Sequence, residues 1–343
     1  MAAMNDVPRE ILQEAYRRKP IYLLKIPFLF GLWAAAGAAI WFSMGTPFWI
    51  PVGILASLFI AQVIRGLGAI AHDAVHGTVL KSKLGSYLVG VVCWMPTGMA
   101  YTIYSNYHLH HHRITNTYPD VDNFVVTDYT KNPTVAKVML LLVYSFAYPI
   151  YFLFQMFRYR RRLTFAKQVR MNVELLVFWG AVGAAAYYLP WQFMLFMFGL
   201  PFAFGTIFAS ITSLIEHYEM EPGDDDAYSS RTYATQRHFL NFLWNNVSFH
   251  NEHHKYPGIP WYNLRSFHEA AFPYYDKKIQ AECYDTFLPV VFMLWGRILK
   301  VDVQKLETKY GKLDREKERA EHMALAGIAP VNTAEPEPAN AAA

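Results

Sequence analysis

Two long runs of residues without a charge dominate the hydropathy pattern of the chain. They cover residues 26–64 and 175–215, and turn-forming residues interrupt each near its middle, at 45–47 and at 189–191. Because an α-helix rises about 1.5 Å per residue, each half of about 18 residues reaches about 27 Å, close to the hydrocarbon core of a bilayer at about 30 Å. The pattern therefore predicts two hairpins of membrane-spanning helices.

Three short histidine clusters lie outside these two runs. They are His72-Asp-Ala-Val-His76, His108-Leu-His-His111-His112 and His250-Asn-Glu-His253-His254. Residues at i, i+3 and i+4 of a helix share one face, so each cluster presents two or three imidazoles towards a common point. Three clusters with this spacing in one chain predict a metal site.

The number of histidines restricts the kind of metal site. Imidazole is a ligand common to zinc, copper and iron. A zinc site needs three or four protein ligands, whereas the eight spaced histidines suffice for two metal ions with open positions. Two adjacent metals with open positions can activate dioxygen, and iron is the usual metal for that work. We therefore expect two iron ions, with dioxygen as co-substrate.

The clusters also determine the number of membrane crossings. If they form one site, the chain crosses the membrane an even number of times between the second and the third cluster. The run at 175–215 supplies two crossings, so the apolar stretch at 138–157 is expected not to cross. The stretch at 84–107, with three glycines and a proline, is expected to be interfacial or re-entrant. The predicted fold is all-α, with four transmembrane helices in two hairpins and a cap that carries the di-metal site.

Charge predicts the orientation of this fold. Both hairpin turns lack charged residues, whereas Arg65, Lys81, Lys83 and the arginine-rich segment at 158–170 lie on the histidine side. Because cytoplasmic loops collect Lys and Arg, we expect the histidines on the cytoplasmic side of a bacterial inner membrane. The arginines are expected to face lipid head groups, and no nucleic-acid role is expected.

Composition agrees with a membrane protein, and the chain ends differ from its middle. The 343 residues are 54% hydrophobic and 17% aromatic, which is unusual for a soluble domain. Two cysteines give no disulfide framework. Residues 1–20 are predicted to form a cytoplasmic helix without a signal-peptide pattern, residues 21–305 the membrane domain, and residues 306–343 a charged helix followed by a disordered tail.

The clusters and their surroundings resemble the membrane fatty-acid desaturase and hydroxylase family. The order HxxxH, HxxHH, HxxHH matches, the second cluster continues as Arg-Ile-Thr-Asn, and the third continues as Lys-Tyr-Pro-Gly-Ile-Pro. The approach to the third cluster, from Arg231-Thr-Tyr to Trp244-Asn, is similar to acyl-lipid desaturases. The resemblance covers roughly residues 20–275 and is specific for the superfamily rather than for a substrate.

The resemblance implies a membrane di-iron oxidase, and first of all a fatty-acyl or lipid desaturase. His217 ends the fourth predicted span and matches an additional histidine ligand of the family, so the expected ligands are His72, His76, His108, His111, His112, His217, His250, His253 and His254. Candidates to hold the ring N–H groups of these ligands are Asp73, Asn116, Asn246 and Glu252. No catalytic residue beyond the ligands is identified.

The substrate and the electrons come from outside the chain. Apolar spans that lead to the histidines would let an acyl lipid or fatty acid enter from the bilayer with water excluded. The sequence has no haem-binding cytochrome segment, flavin motif or G-x-G-x-x-G after a strand. A separate electron donor is therefore expected, such as a ferredoxin with its reductase.

Other functions stay open at this point. Within the resemblance, the alternatives are a hydroxylase, ketolase or decarboxylase that acts on a carotenoid, an alkane or a fatty acid. The first cluster differs from the HExxH motif of an intramembrane metalloprotease in having Asp in place of Glu. A metalloprotease would leave six histidines of the clusters unused. A metal transporter would hold its ligands near the bilayer midplane, whereas these histidines lie beyond the predicted spans.

Overall fold

The computed structural model describes residues 4, 7–117, 120, 122–221 and 226–303, and the predicted segment at 306–343 lies outside this part of the chain. The all-α class is confirmed for the described residues, where the only β-type pairings are two isolated bridges of Thr232. Near the N-terminus, the polar helix α1 (Arg9–Ala15) falls within the predicted segment 1–20.

The first predicted hairpin is present as α2 (Lys25–Ser43) and α3 (Trp49–Val75). In the turn between them Gly45 has a φ of 83°, a left-handed conformation that glycine adopts without a steric penalty. The helix α3 continues past the apolar run, so that His72 lies in its last turn and His76 at its C-cap. The second hairpin helix thus carries the first histidine cluster.

The second cluster lies on a helix whose first turn is hydrogen-bonded to a residue of a later membrane-spanning helix. The helix α4 (Lys83–Trp94) packs against α3, and α5 (Tyr101–Arg113) carries the second cluster. Ala100 at the N-cap of α5 offers no side-chain cap, so its first turn leaves backbone N–H groups to be satisfied. The buried Glu174 supplies the missing acceptor, since its Oε2 lies 2.9 Å from the N–H of Thr102.

A continuous helical segment follows, made of α6 (Pro133–Leu142), a π-helical turn at Val143–Ala147 and α7 (Tyr148–Tyr159). It precedes the second hairpin, which consists of α8 (Phe165–Tyr188) and a helix that begins as α9 (Trp191–Met194), passes through a π-helical turn and ends as α10 (Leu200–His217). His217 is therefore the last residue of α10.

Five helical segments in the described part of the chain are long and apolar enough to cross a membrane. They are Pro20–Ser43, Trp49–Val75, Pro133–Arg162, Phe165–Tyr188 and Trp191–His217. The chain is thus a membrane protein. Four of these segments coincide with the halves of the predicted hairpins, and the fifth contains the stretch that was expected not to cross.

The remaining helices form the region around the third cluster. They are α11 (His238–Leu243), α12 (His250–Lys255), α13 (Trp261–Ala271), α14 (Lys277–Ala281) and α15 (Leu288–Lys300). The residues around the third cluster favour one helix over 235–256 in the sequence, but the structure divides this stretch into α11 and α12. Asn245 and Asn246 have φ values of 52° and 55°, and asparagine is one of the few residues that accept this helix-ending conformation.

The break lets the third cluster approach the first hairpin. The carbonyl oxygen of Leu243 lies so near Gly66 of α3 that an added Cβ would stand 2.1 Å from it. The side chain of Asn245 donates a hydrogen bond of 2.7 Å to the carbonyl of Gly66. Glycine is required at this position because the backbone of α11 meets the backbone of α3, and this contact brings α12 over the end of α3.

Candidate metal centre

The three clusters and His217 meet in two adjoining groups of histidines. Within each group the ring nitrogens lie within 4.8 Å of one another, and the members are His72, His76, His108, His112 and His253 in the first group and His111, His217 and His254 in the second. The ring of His250 joins the second group, since its Nε2 is 3.0 Å from that of His217 and 3.1 Å from that of His254. All nine histidines predicted as ligands are thus brought together.

Adjacent histidines of one cluster serve different groups. Consecutive residues of a helix point about 100° apart. His112 and His253 therefore belong to the first group, whereas their neighbours His111 and His254 belong to the second. The ring of His112 stacks on that of His254 with 4.3 Å between the centroids, which places the two groups side by side. The HH pairs that end the second and third clusters are therefore the links between the groups.

The nitrogen separations fit metal coordination. The Nε2 atoms of His76 and His108 are 3.0 Å apart, and those of His112 and His253 are 3.1 Å apart. Two nitrogens about 2.1 Å from one ion and at right angles to each other lie about 3.0 Å apart. The donor set, which consists of imidazoles alone, suits a borderline divalent metal.

The environment keeps these imidazoles in the form that binds metal. Burial, and to a smaller extent the neighbouring ring of His72, lower the pKa of His76 to about 3. Burial, with the surrounding histidines, also lowers the pKa of five other rings well below the ordinary value, those of His108, His112, His250, His253 and His254. A neutral imidazole has a lone pair for a metal ion, whereas a protonated one has none.

A cavity of about 370 Å³ reaches both groups from among the apolar helices. Its lining combines histidines of both groups, among them His72, His108 and His217, with the aromatic side chains of Trp94, Trp179 and Phe202. A mostly apolar cavity that ends at convergent polar groups is typical of a site for an apolar ligand.

Comparison with known proteins identifies the family. The model of the fatty acid desaturase family matches residues 47–284, which include all three histidine clusters. The chain belongs to the fatty acid desaturase family. It is thus an oxidoreductase that acts on lipids.

Curated relatives share about a quarter of their residues with this desaturase-family chain. A sphingolipid delta(4)-desaturase DES1-like protein of Arabidopsis thaliana is 24% identical over 71% of this chain and 70% of its own length. The protein of the same name from Oryza sativa is 24% identical, over 82% of this chain and 81% of its own. An sn-1 acyl-lipid omega-3 desaturase (ferredoxin) of Synechocystis sp. is 24% identical, over 78% and 79%.

Two histidines of this desaturase-family centre are oriented by groups that sequence reasoning missed. Both carboxylate oxygens of Asp120 lie 3.0 Å from Nδ1 of His111, and an oxygen of Asp122 lies 3.4 Å from the same atom. The Nδ1 of His217 is 3.0 Å from the carbonyl of Ser229. These contacts direct Nε2 of each ring towards the second group. An acidic pair soon after a histidine cluster was the signal for Asp120 and Asp122.

The four polar residues that the sequence singled out make their closest hydrogen bonds elsewhere. Asp73 accepts from the backbone N–H of Trp261 at 2.7 Å and stands 4.0 Å from Nδ1 of His72. The amide of Asn116 donates to the carbonyl of Ser229 at 2.7 Å, and that carbonyl also contacts His217. Asp73 thus joins α3 to α13, and Asn116 braces the loop that orients His217.

Asn246 and Glu252 form hydrogen bonds with the segments that surround the third cluster. The amide of Asn246 donates to the carbonyl of Trp261 at 3.1 Å. Glu252 accepts from Nδ1 of His268 at 2.5 Å and from the hydroxyl of Tyr275 at 3.0 Å. Its carboxylate faces away from the two histidine groups because it lies two residues after His250, on the opposite side of α12. The carboxylate raises the pKa of His268 although burial opposes this.

Replacing Asp120 with asparagine is expected to weaken metal binding about 10- to 100-fold, the range found when a partner of a ligand histidine is removed. The amide keeps the size of the carboxylate but loses the charge that holds the N–H of His111. Retention of the bound metal against a chelator, measured on the purified variant, checks this. The exposed Asp128 gives a matched control as Asp128→Asn, and equal metal retention in both variants would contradict the role of Asp120.

Proposed function

We propose that the chain is a di-iron acyl-lipid desaturase, which uses dioxygen and two electrons to introduce a double bond into an unactivated acyl chain. The observation that carries this proposal is the cavity that runs from the apolar helices to both histidine groups. Supporting it, the curated relatives are named as sphingolipid and acyl-lipid desaturases. The Synechocystis relative is named with ferredoxin, which supports a ferredoxin-type donor.

Each histidine group holds one iron ion in this proposal. The first ion is held by His72, His76, His108, His112 and His253, and the second by His111, His217, His250 and His254. When bound, the iron pair supplies the oxidising power to open an unactivated C–H bond, which acid–base groups of a protein lack. Five imidazoles in one group exceed the four protein ligands of an ordinary zinc site, which favours iron.

The protein positions the acyl chain and keeps water away from it. Apolar and aromatic side chains line the cavity up to the histidines, so that a methylene pair is held against them in a dry site. Tyr104 closes this wall, since its ring stacks on Trp94 at 3.5 Å and on His108 at 5.5 Å. The position of the chain along this wall selects the bond that becomes unsaturated.

The electron balance defines the need for a donor. Reduction of dioxygen to two water molecules consumes four electrons and four protons. The two C–H bonds that become a double bond provide two electrons and two protons, and the donor provides two electrons while solvent provides the remaining protons. We propose that an external ferredoxin with its reductase provides these electrons.

Product analysis tests the reaction. Lipids from cells that express the chain with a ferredoxin and its reductase are expected to contain a new double bond at one position, seen by mass spectrometry of acyl-chain fragments. Cells that express the His253→Ala variant are the control. A hydroxylated chain, ketone or shortened hydrocarbon in place of the alkene would support the hydroxylase, ketolase or decarboxylase alternative instead.

We also propose four membrane crossings, with the histidine site on the cytoplasmic side. Because His112 and His217 meet at the site, the chain between them crosses an even number of times, although three candidate segments lie there. In this proposal, Pro133–Arg162 is the segment that does not cross the membrane. Its middle contacts the end of α10, where the N–H of Tyr148 donates to Ser210 at 3.2 Å and the rings of Tyr144 and Tyr218 lie 5.4 Å apart.

Cysteine labelling tests this topology. In a variant that lacks Cys93 and Cys283, single cysteines at Gly45 and Pro190 are expected to react with a membrane-impermeant reagent from the periplasmic side. A cysteine at the exposed Glu221 is expected to react only after the membrane is opened, because it follows the fourth span. Labelling of positions 45 and 221 from the same side would overturn the four-span arrangement.

A further inference from the structure

A second cavity lies on the other side of α7 from the one that reaches the histidines. It has a volume of about 730 Å³. Phe152 and Leu153 of α7 line the cavity of the metal centre, whereas Tyr151, Phe154 and Gln155 line the second cavity. The second cavity therefore shares no lining residue with the cavity of the metal centre. Asp120, which contacts His111, forms part of the wall of the second cavity.

Three arginines make the second cavity basic. Arg158, Arg161 and Arg162 line it, and no carboxylate of the described residues lies within salt-bridge distance of their guanidinium groups. Arg158 lies over the ring of Phe154 at 5.8 Å and Arg162 over the ring of Tyr159 at 5.5 Å. These aromatic contacts hold Arg158 and Arg162 without neutralising their charge.

The positive charge of the three arginines exceeds the negative charge of the acidic groups in the cavity wall. Asp120 is engaged by His111 and accepts the backbone N–H groups of Asn116 and Asp122 at 2.8 and 3.0 Å. Asp128 is the other carboxylate of the lining. Guanidinium groups that share one concave site bind phosphate through paired N–H donors.

The same helix exposes a large apolar face beside the arginines. Ile150 and Phe157 are each 66% exposed and Phe154 is 54% exposed. Three tyrosines also line the cavity, and tyrosine and arginine with an apolar stem are typical of the boundary between hydrocarbon and water. The cavity thus combines contacts for acyl chains with contacts for a phosphate.

We propose that this cavity binds the phosphate-bearing head group of an anionic membrane phospholipid. The arginines contact the phosphate, and Phe154 and Phe157 lie beside the upper part of the acyl chains. A basic pocket on the cytoplasmic side of a membrane protein is a known setting for such head groups. The inference rests on the proposed interfacial position of Pro133–Arg162. A lipid is favoured over an acidic protein because the arginines line a concave cavity next to exposed apolar side chains.

Binding of dioctanoyl phosphatidylglycerol to the full-length protein in an uncharged detergent, measured by native mass spectrometry, tests the proposal. Arg161→Gln is expected to weaken binding about 10-fold, as for one charge-assisted contact. Arg160 belongs to the same basic run but does not line the cavity, so Arg160→Gln removes an equal charge and is expected to change the affinity less than about twofold. Arg158→Gln serves as a second cavity variant, and unchanged iron content shows that each variant is folded.

The other arms of the experiment decide between ligands. Dioctanoyl phosphatidylcholine is expected to bind at least about 10-fold more weakly, and inorganic phosphate or coenzyme A is expected not to displace phosphatidylglycerol. Equal losses in Arg160→Gln and Arg161→Gln, or displacement by either soluble phosphate, would overturn the lipid site. So would a loss of electron delivery from an acidic ferredoxin in Arg161→Gln with lipid binding unchanged. Lipid binding is measured without turnover, so failure of the proposed desaturation leaves this result unaffected.

Discussion

The His253→Ala variant is expected to form no detectable product and to lose iron, while it still inserts into the membrane. His253 is buried in the first group, where its Nε2 lies 3.1 Å from that of His112 and its ring lies 4.1 Å from that of His72. Alanine removes one ligand and leaves no replacement nitrogen. Product analysis in membranes and iron content of the purified variant measure the effect.

His238→Ala is the matched control for this experiment. His238 is exposed and lies outside both groups, so this variant is expected to keep its iron and its activity. The same complete loss is expected for each of the other spaced histidines, which are His72, His76, His108, His111, His112, His250 and His254. Near-normal turnover in two or more of these variants would remove the basis for the ligand assignment.

Replacing His217 with alanine is expected to reduce iron occupancy or activity by about 10-fold or more. His217 lies outside the clusters, but its Nε2 is 3.0 Å from that of His250 and its Nδ1 is 3.0 Å from the carbonyl of Ser229. This arrangement directs one nitrogen to the second group. Full iron occupancy with unimpaired product formation in His217→Ala would show that the second ion needs only the histidines of the clusters.

The sequence was sufficient to predict which histidines lie together, because their spacing within each cluster is a local feature of the chain. Spacing of i, i+3 and i+4 places imidazoles on one side of a helix, and the nine residues predicted from spacing and resemblance lie together. The two hairpins were predictable for a similar reason, since a bilayer requires long uncharged runs. The helix α2 begins at Lys25 and α10 ends one residue after Glu216, at the charged positions that limit these runs. In contrast, α3 continues to Val75 and α8 begins at Phe165, each about two turns or more beyond the apolar run.

Contacts between distant segments were beyond the reach of the sequence. Nothing in the local pattern shows that Glu174 caps α5, because this contact depends on how α8 packs against α5. The acidic pair Asp120 and Asp122 follows the second cluster closely, but its spacing alone does not show which histidine it contacts. The break at Asn245 and Asn246 was missed because the surrounding residues also suit a helix. Asn246 and Glu252 were predicted to hold ring N–H groups of the ligands, whereas their side chains contact Trp261 and His268.

The arrangement of the histidines also bears on the other classes of function. An intramembrane zinc protease needs only His72 and His76 of the first cluster with one further ligand, yet all three clusters converge here. A transporter would place its ligands along a path within the spans, whereas His76 caps the end of α3 and His217 is the last residue of α10. The proposed centre with two metal ions would use all nine histidines.

Metal analysis of the purified protein tests the central claim most directly. The account predicts two iron ions per chain in the wild-type protein, and fewer in both His253→Ala and His217→Ala, with His238→Ala unchanged. One zinc ion per chain would contradict it in favour of a metalloprotease, and loading that varies with the metal supplied would contradict it in favour of transport.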